Sequence, residues 1–449
     1  MPEYILPASM VISLLAGIFS GYRVAFLLGG LGVLFSYIGN IPFRFLGVVV
    51  SRIYSNVVEN WLLIAIPLFI YMGLMLERSG LASNLLESLE RLFGRVRGGL
   101  AVSVAALGII MAASTGIIGA SVVMLGVLGL PLMLKKQYDP HLATGTVIAS
   151  STLGILIPPS IMLVLVGDIL QLSVGDLFLA AIFPGLILGG LYILYILVVG
   201  YLYPERAPAA PVDDGVRGLT LFFQLLRDLF APVFLILAVL GTIALGIATP
   251  TEAAALGALG ITLLAVFTGR FRFQDLREAV FETSKITSLI VFVLIGATCF
   301  SVVFKRLGGE RMIEDAVFHL ALGPYGTLTL LMLTIFILGF FLEWLEISFI
   351  VLPLFAPIVA GLDFGLGLTS TEILLWFAVL VAINLQTSFL TPPFGYALFF
   401  LKSVAPAGIT LPVIYRSIIP FVVLQLIGLA IAVLFPQVML WLPGQVLGN

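Results

Sequence analysis

Charge is what this sequence has least of: 10% of its 449 residues are Asp, Glu, Lys or Arg, while 61% are hydrophobic. Ordinary soluble domains carry about 25% charged and roughly 45–50% apolar residues, so a soluble fold is excluded. Cysteine is almost missing too. Cys299 stands alone, which rules out an intrachain disulfide, and its apolar surroundings suit a small packing residue. His141 and His319 are far apart in sequence and lack neighbouring metal-ligand clusters, so no metal site is indicated. With 21 Lys+Arg against 23 Asp+Glu and no dense basic tract, a nucleic-acid partner is not expected. A Walker-type G-x-x-x-x-G-K-[ST] run is also lacking, so ATP does not act on this chain; an ion gradient or another subunit must drive its work.

What is present in abundance is long apolar runs. The 46 glycines and 24 prolines lie inside them, and membrane helices tolerate both residues. The class is an all-α polytopic membrane protein, with membrane lipids as its surroundings. The stretch MPEYILPASMVISLL has Glu3 and no Lys or Arg before its apolar part, so it reads as a first membrane helix and not as a cleaved signal.

A crossing needs about 20 apolar residues. Ten candidates fall near 5–20, 24–38, 61–76, 142–170, 177–200, 229–248, 253–268, 286–304, 373–402 and 412–435. The stretches 99–134 and 326–358 are too long for one crossing, and their small or polar residues lie in the middle. Both read as re-entrant hairpins. Loop charge supports this: with the N-terminus outside, sixteen of the 21 basic residues fall in inner loops, leaving Arg44, Arg52, Lys305, Arg306 and Arg311 outside.

The polar stretch Tyr203 to Asp228 reads as a linker between halves. The halves resemble each other weakly. Gly29 and Gly32 match Gly257 and Gly260, Pro131 matches Pro353, and Pro158-Pro159 matches Pro392-Pro393, all in order. With five crossings each, the second copy is inverted, as in secondary transporters. Segments 81–97 and 271–285 are amphipathic and charged, which suits arms along the membrane surface.

Four places could carry chemistry. SSTLGILIPPS, Ser150 to Ser160, puts two prolines inside a crossing, freeing backbone carbonyls beside Ser150, Ser151 and Thr152. Bare carbonyls at membrane depth are costly unless something binds them, and a sodium ion would do so. INLQTSFLTPPFGYALF, Ile383 to Phe399, repeats the design with Asn384, Gln386, Thr387, Ser388, Thr391 and Pro392. At the hairpin tips, ASTGIIGAS supplies Ser114, Thr115 and Ser121, and FLEWLEISF supplies Glu343 and Glu346. Carboxylates at membrane depth are functional suspects by default.

Taken together, ASTGIIGASVVMLGVLGLPLMLKKQYDP, SSTLGILIPPSIMLVLVGD, ATPTEAAALGALG, FLEWLEISFIVLPLFAP, TSFLTPPFGYALF and IYRSIIPFVVLQLIGL resemble the large membrane subunit of tripartite ATP-independent periplasmic (TRAP) transporters, of the mannitol/chloroaromatic subtype. The resemblance implies an elevator-type ion-transporter fold of two inverted repeats. It divides the chain into scaffold (1–98), transport part (99–170), scaffold with linker (171–325), transport part (326–402) and a C-terminal scaffold helix (403–449). It further implies sodium as the coupling ion, with no other cofactor, and import of a small organic acid across the bacterial inner membrane. The implied partners are a small four-helix membrane subunit, expected as a separate chain, and a periplasmic substrate-binding protein.

By the same resemblance Ser114, Thr115, Ser121, Thr152, Glu343, Glu346, Thr387 and Thr391 are expected to face the substrate, and Ser150, Ser151, Gly154, Pro158, Asn384, Gln386, Ser388 and Pro392 to hold sodium. The chain departs from the subtype's pattern at Glu343, where Asp is usual.

Three rival readings are weaker. A stand-alone anion carrier or antiporter of the wider ion-transporter group needs no binding protein. An intramembrane aspartyl protease would use Tyr138-Asp139 and Gly167-Asp168, but Leu165 stands where its motif needs glycine. A non-transporting scaffold has no use for two broken helices.

Overall fold

The computed structural model describes residues 4–116, 118–209, 233–392 and 395–446, without the side chains of 81 and 112–115. The described residues are helical with no strand, and seven helical stretches are long and apolar enough to cross a bilayer.

The first half runs α1 (Ile5–Phe19), α2 (Val24–Ile38), α3 (Leu46–Ile53), α4 (Ala65–Arg78), α5 (Leu81–Phe93), α6 (Gly99–Thr115), α7 (Ile118–Lys135), α8 (Pro140–Thr152), α9 (Ile161–Leu170) and α10 (Val174–Leu202). The second runs α11 (Val233–Ala244), α12 (Pro250–Phe267), α13 (Phe273–Arg306), α14 (Gly309–His319), α15 (Gly323–Leu338), α16 (Trp344–Glu346), α17 (Leu352–Ala360), α18 (Ser370–Leu390), α19 (Tyr396–Val404) and α20 (Leu411–Leu434), followed by α21 (Gln437–Val446). A π turn, Ile347–Val351, joins α16 to α17. Much of the linker, and Pro393, lie outside the described residues.

Local chemistry starts these helices. The Asp139 carboxylate accepts from the backbone N–H of His141 (2.8 Å) and Leu142 (3.0 Å), capping α8. Thr249 with Glu252, and Thr369 with Glu372, form capping boxes that open α12 and α18.

The two halves interlock. Helix α2 packs along α13, and α12 packs along α4, so each half contributes one helix to the other. Glycines make the first crossing close: a Cβ at Gly32 would stand 2.7 Å from Cys299 Sγ, and one at Gly296 2.5 Å from the Ala25 carbonyl oxygen. Cys299 is buried in this seam.

Two clusters of contacts mark the ends of the molecule. At one end Arg78 bonds Glu278, Arg270 donates to the Gly80 carbonyl (2.9 Å), and Lys136 pairs with Glu90 (3.5 Å). There also Gly98 N–H donates to the Ala207 carbonyl (2.9 Å) and Asp139 N–H to the Arg206 carbonyl (2.8 Å). At the other end Tyr4 bonds Asp315, and the Arg306 guanidinium lies over the Phe45 ring.

Each hairpin enters and leaves at the same end, the first at one end of the molecule and the second at the other. The Leu100 N–H at the start of α6 donates to the Tyr138 hydroxyl just past α7 (3.2 Å). Burial pushes the Tyr138 phenol above its ordinary range, so it stays neutral. In the second hairpin the Tyr325 ring, at the start of α15, meets Phe364 beyond α17 at 5.1 Å.

One expectation is corrected. Segment 271–285 is not a separate arm: apart from its first two residues it forms the opening turns of α13, a single helix of 34 residues. Nothing between Phe281 and Leu294 breaks it, since FETSKITSLIVFVL contains neither Gly nor Pro. The counterpart in the first half is α3 with α4. There Tyr54–Val58 forms a π turn and Asn60 starts a new helical turn by accepting from Leu62 N–H (3.1 Å). The element matching α5 is α14.

Candidate functional site

Each hairpin tip rests on a broken helix. The first break lies between α8 and α9, where Leu153–Ile155 tightens to 3₁₀ and Pro158-Pro159, a cis pair, carries the chain to Ser160. The Ser160 hydroxyl donates to the Ile155 carbonyl (2.8 Å), taking up one carbonyl freed by the break. Gly116, at the tip between α6 and α7, holds φ +59°, and a Cβ there would stand 3.2 Å from Ile161 N. The tip therefore sits on the start of α9.

The second break repeats this. Helix α18 ends at Leu390, Thr391 is extended, and α19 begins at Tyr396. The Tyr396 hydroxyl donates to the Phe341 carbonyl (3.1 Å) at the second tip. Asn384 Nδ2 donates to the Met332 carbonyl (2.7 Å), tying α18 to α15.

The two breaks meet at one point. Gln386 Nε2 donates to Thr152 Oγ1 (3.2 Å) and lies 3.5 Å from the Tyr192 hydroxyl. All three side chains are buried. Gln386 Oε1 is buried without a partner.

The other hydroxyls are committed as donors to their own helices. Ser150 donates to Thr146 (2.7 Å), Ser151 to Val147 (2.7 Å), Thr152 to Ala149 (2.8 Å), Thr387 to Ile383 (2.9 Å), Ser388 to Leu385 (2.8 Å) and Thr391 to Thr387 (2.8 Å). Their lone pairs remain available as acceptors. Gly154 and Pro158 are buried in the first break, Pro392 is half-buried in the second, and Ser121 is buried on α7. The side chains of Ser114 and Thr115 lie outside the described part.

Glu343 occupies the residue before α16, half-buried, and Glu346 closes that helix with 5% of its surface exposed. No Lys or Arg among the described residues pairs with either. Glu346 Oε2 and Ser348 Oγ are both buried and unpartnered. Buried polar atoms without partners are rare, and these present oxygens only.

Sequence reasoning missed three features. Ser348 stands two residues past Glu346, in the same polar interruption of an apolar run. Tyr396 bridges tip and break. The third is a cavity of about 700 Å³ at the end of the molecule carrying Phe45 and Arg306, lined on one side by α3 and α13 and on the other by α9 and the second hairpin. Arg52, Asn60, Asp168 and Lys305 face it.

The family described as "Tripartite ATP-independent periplasmic transporter, DctM component" matches residues 11–438. The chain belongs to this family; it is a TRAP transporter large permease and a multi-pass protein of the bacterial inner membrane. It is 30% identical to the C4-dicarboxylate TRAP transporter large permease protein DctM of Pseudomonas aeruginosa over 387 residues, covering 86% of this chain and 87% of that one. It is 32% identical to the ectoine/5-hydroxyectoine large permease UehC of Ruegeria pomeroyi, covering 85% of each. The fold is similar to that of the YdaH transporter of Alcanivorax borkumensis, with a TM-score of 0.62, 14% identity and 89% of each chain covered.

Proposed function

We propose that the chain carries a small organic acid inward, driven by sodium, after a periplasmic binding protein delivers it and with a separate small membrane subunit as partner. The observation that carries this reading is the doubled docking of a hairpin tip on a helix break, with buried oxygens at Glu346, Ser348 and Gln386 left without partners. A hard cation such as sodium takes ligands of this kind, backbone and side-chain oxygens together. The half-helix starts of α9 and α19 carry partial positive charge, and an acid group is stabilised there. The names of the relatives add support, since C4-dicarboxylates and ectoine are small organic acids.

Transport itself would proceed by an elevator motion. Helices α6–α9 and α15–α19, holding both tips and both breaks, slide as one body past the helices that interlock the halves. Sodium orders the breaks first and so completes the acid site.

The test is uptake by the protein reconstituted with its small subunit and binding protein, with and without a sodium gradient. Uptake should fall at least tenfold without the gradient. Undiminished uptake would sink the sodium coupling, and full uptake by this chain alone would favour a stand-alone carrier.

A further inference from the structure

The cavity between α3, α13 and α9 has a charge pattern that the acid site at the helix breaks does not explain. Arg52, exposed toward it, makes no ion pair or hydrogen bond among the described residues through its guanidinium. Lys305 is already engaged, with Nζ 3.3 Å from Glu310 Oε1. Across the cavity Asp168 Oδ2 accepts from Asn60 Nδ2 at 2.8 Å, while its other oxygen is left without a described partner. The lining thus offers one free cation, one neutralised pair and one carboxylate still able to accept.

We infer that this cavity receives the solute, and that the solute is a monocarboxylate bearing a hydroxyl or amino group and not a simple dicarboxylate. The acid group pairs with the Arg52 guanidinium, whose forked donors match a carboxylate. The hydroxyl or amino group donates to Asp168. A second carboxylate fits poorly, because it would meet Asp168 with like charge and would have to displace Glu310 from Lys305. Asn60 holds Asp168 in place from the opposite wall, and Ser55 and Asn56 on that wall add donors.

This inference rests on the proposed transport of organic acids and is narrower than it. The test is equilibrium binding to the purified protein with its small subunit in nanodiscs, using 2-hydroxybutyrate, 2-aminobutyrate, butyrate and succinate as probes. The hydroxy and amino acids should bind at least tenfold more tightly than butyrate or succinate. Arg52→Gln should weaken binding of all probes at least tenfold, Arg52→Lys should restore part of it, and Asp168→Asn should cut the preference for 2-hydroxybutyrate over butyrate at least fivefold. Glu310→Gln, which frees Lys305, should raise succinate affinity several-fold. A thermal melt of each variant separates lost binding from lost folding. Succinate binding as tightly as 2-hydroxybutyrate, or a folded Arg52→Gln protein that binds normally, overturns the inference while the transport reading stands. Failure of every organic acid to bind or be taken up defeats both.

Discussion

The two hairpins are built alike and held differently. The first is clasped: α5 presses Ala82, Leu85, Leu86 and Leu89, all buried, against α6, and α4 and α10 pack on the same helix. The second touches its counterpart arm, α14, only sparsely, through α17. Between α15, α17 and α14 lies an apolar cavity of about 500 Å³, lined also by Leu14 of α1 and by Phe300 and Phe304 of α13. The tips differ in the same direction. The first turns on Gly116 with no acid nearby in sequence, whereas the second carries Glu343 and Glu346 and continues into a π turn, a feature common at functional sites. The two copies share one plan and differ at the tip: the clasped hairpin has a neutral tip, and the hairpin with the charged tip has room beside it.

That contrast can be broken experimentally. The largest effect is expected from the clasp. Leu85→Ala should destabilise the protein by about 2–5 kcal/mol, because a fully buried leucine leaves a cavity when truncated. Met312→Ala on α14, which already faces empty space, should cost about 1 kcal/mol or less. Equal shifts in melting temperature would erase the contrast.

Next comes the charged tip. Glu346→Gln should lower sodium-driven uptake by about 10- to 100-fold with expression intact, matching roughly 1.5–3 kcal/mol for an interaction with a charged group. Glu343→Gln should act in the same direction and more weakly, as that carboxylate is less buried. Ser103→Ala on the first hairpin, away from its tip, should change uptake less than threefold. Wild-type rates from Glu346→Gln would demote the second tip to structure.

The interlock gives a smaller effect. Gly32→Ala places a methyl against Cys299 and should cost about 1–3 kcal/mol, while Gly30→Ala, which meets nothing, should be neutral or slightly stabilising. Smallest is Gln386→Leu, which removes one buried hydrogen bond to Thr152 and should cost about 1 kcal/mol in a thermal melt.

The elements legible in the sequence are those that interrupt a pattern. Two prolines inside a crossing, or two acids inside an apolar run, have no structural reason to be there, so the breaks and tips could be placed from composition alone. Continuity leaves no such mark. The span from Phe273 to Arg306 divides by composition into an amphipathic part and an apolar part, and only the lack of a breaker between them shows that it is one helix. Asn56 and Asn60 are the opposite case, since they mark a helix break in the first half that the crossing pattern passed over. The cavity was the least legible feature. Arg52 and Lys305 served only as loop charges, and Asp168 only as a rejected protease motif; their meeting depends on how α3, α9 and α13 fold together.

The unbroken α13 has a mechanical consequence. Thirty-four residues at 1.5 Å each make a rod of about 51 Å, well over the roughly 30 Å of a bilayer's hydrocarbon core. Its early part, carrying Glu278 bonded to Arg78, is anchored at one water layer, and its far part, carrying Lys305, walls the cavity at the other. Its apolar part, residues 286–304, is about 29 Å long and matches the slab by itself, so the charged opening turns stand in the water layer. A rod with no breaker between its ion-paired turns and its cavity end moves as one piece, so the two water layers are mechanically joined through it.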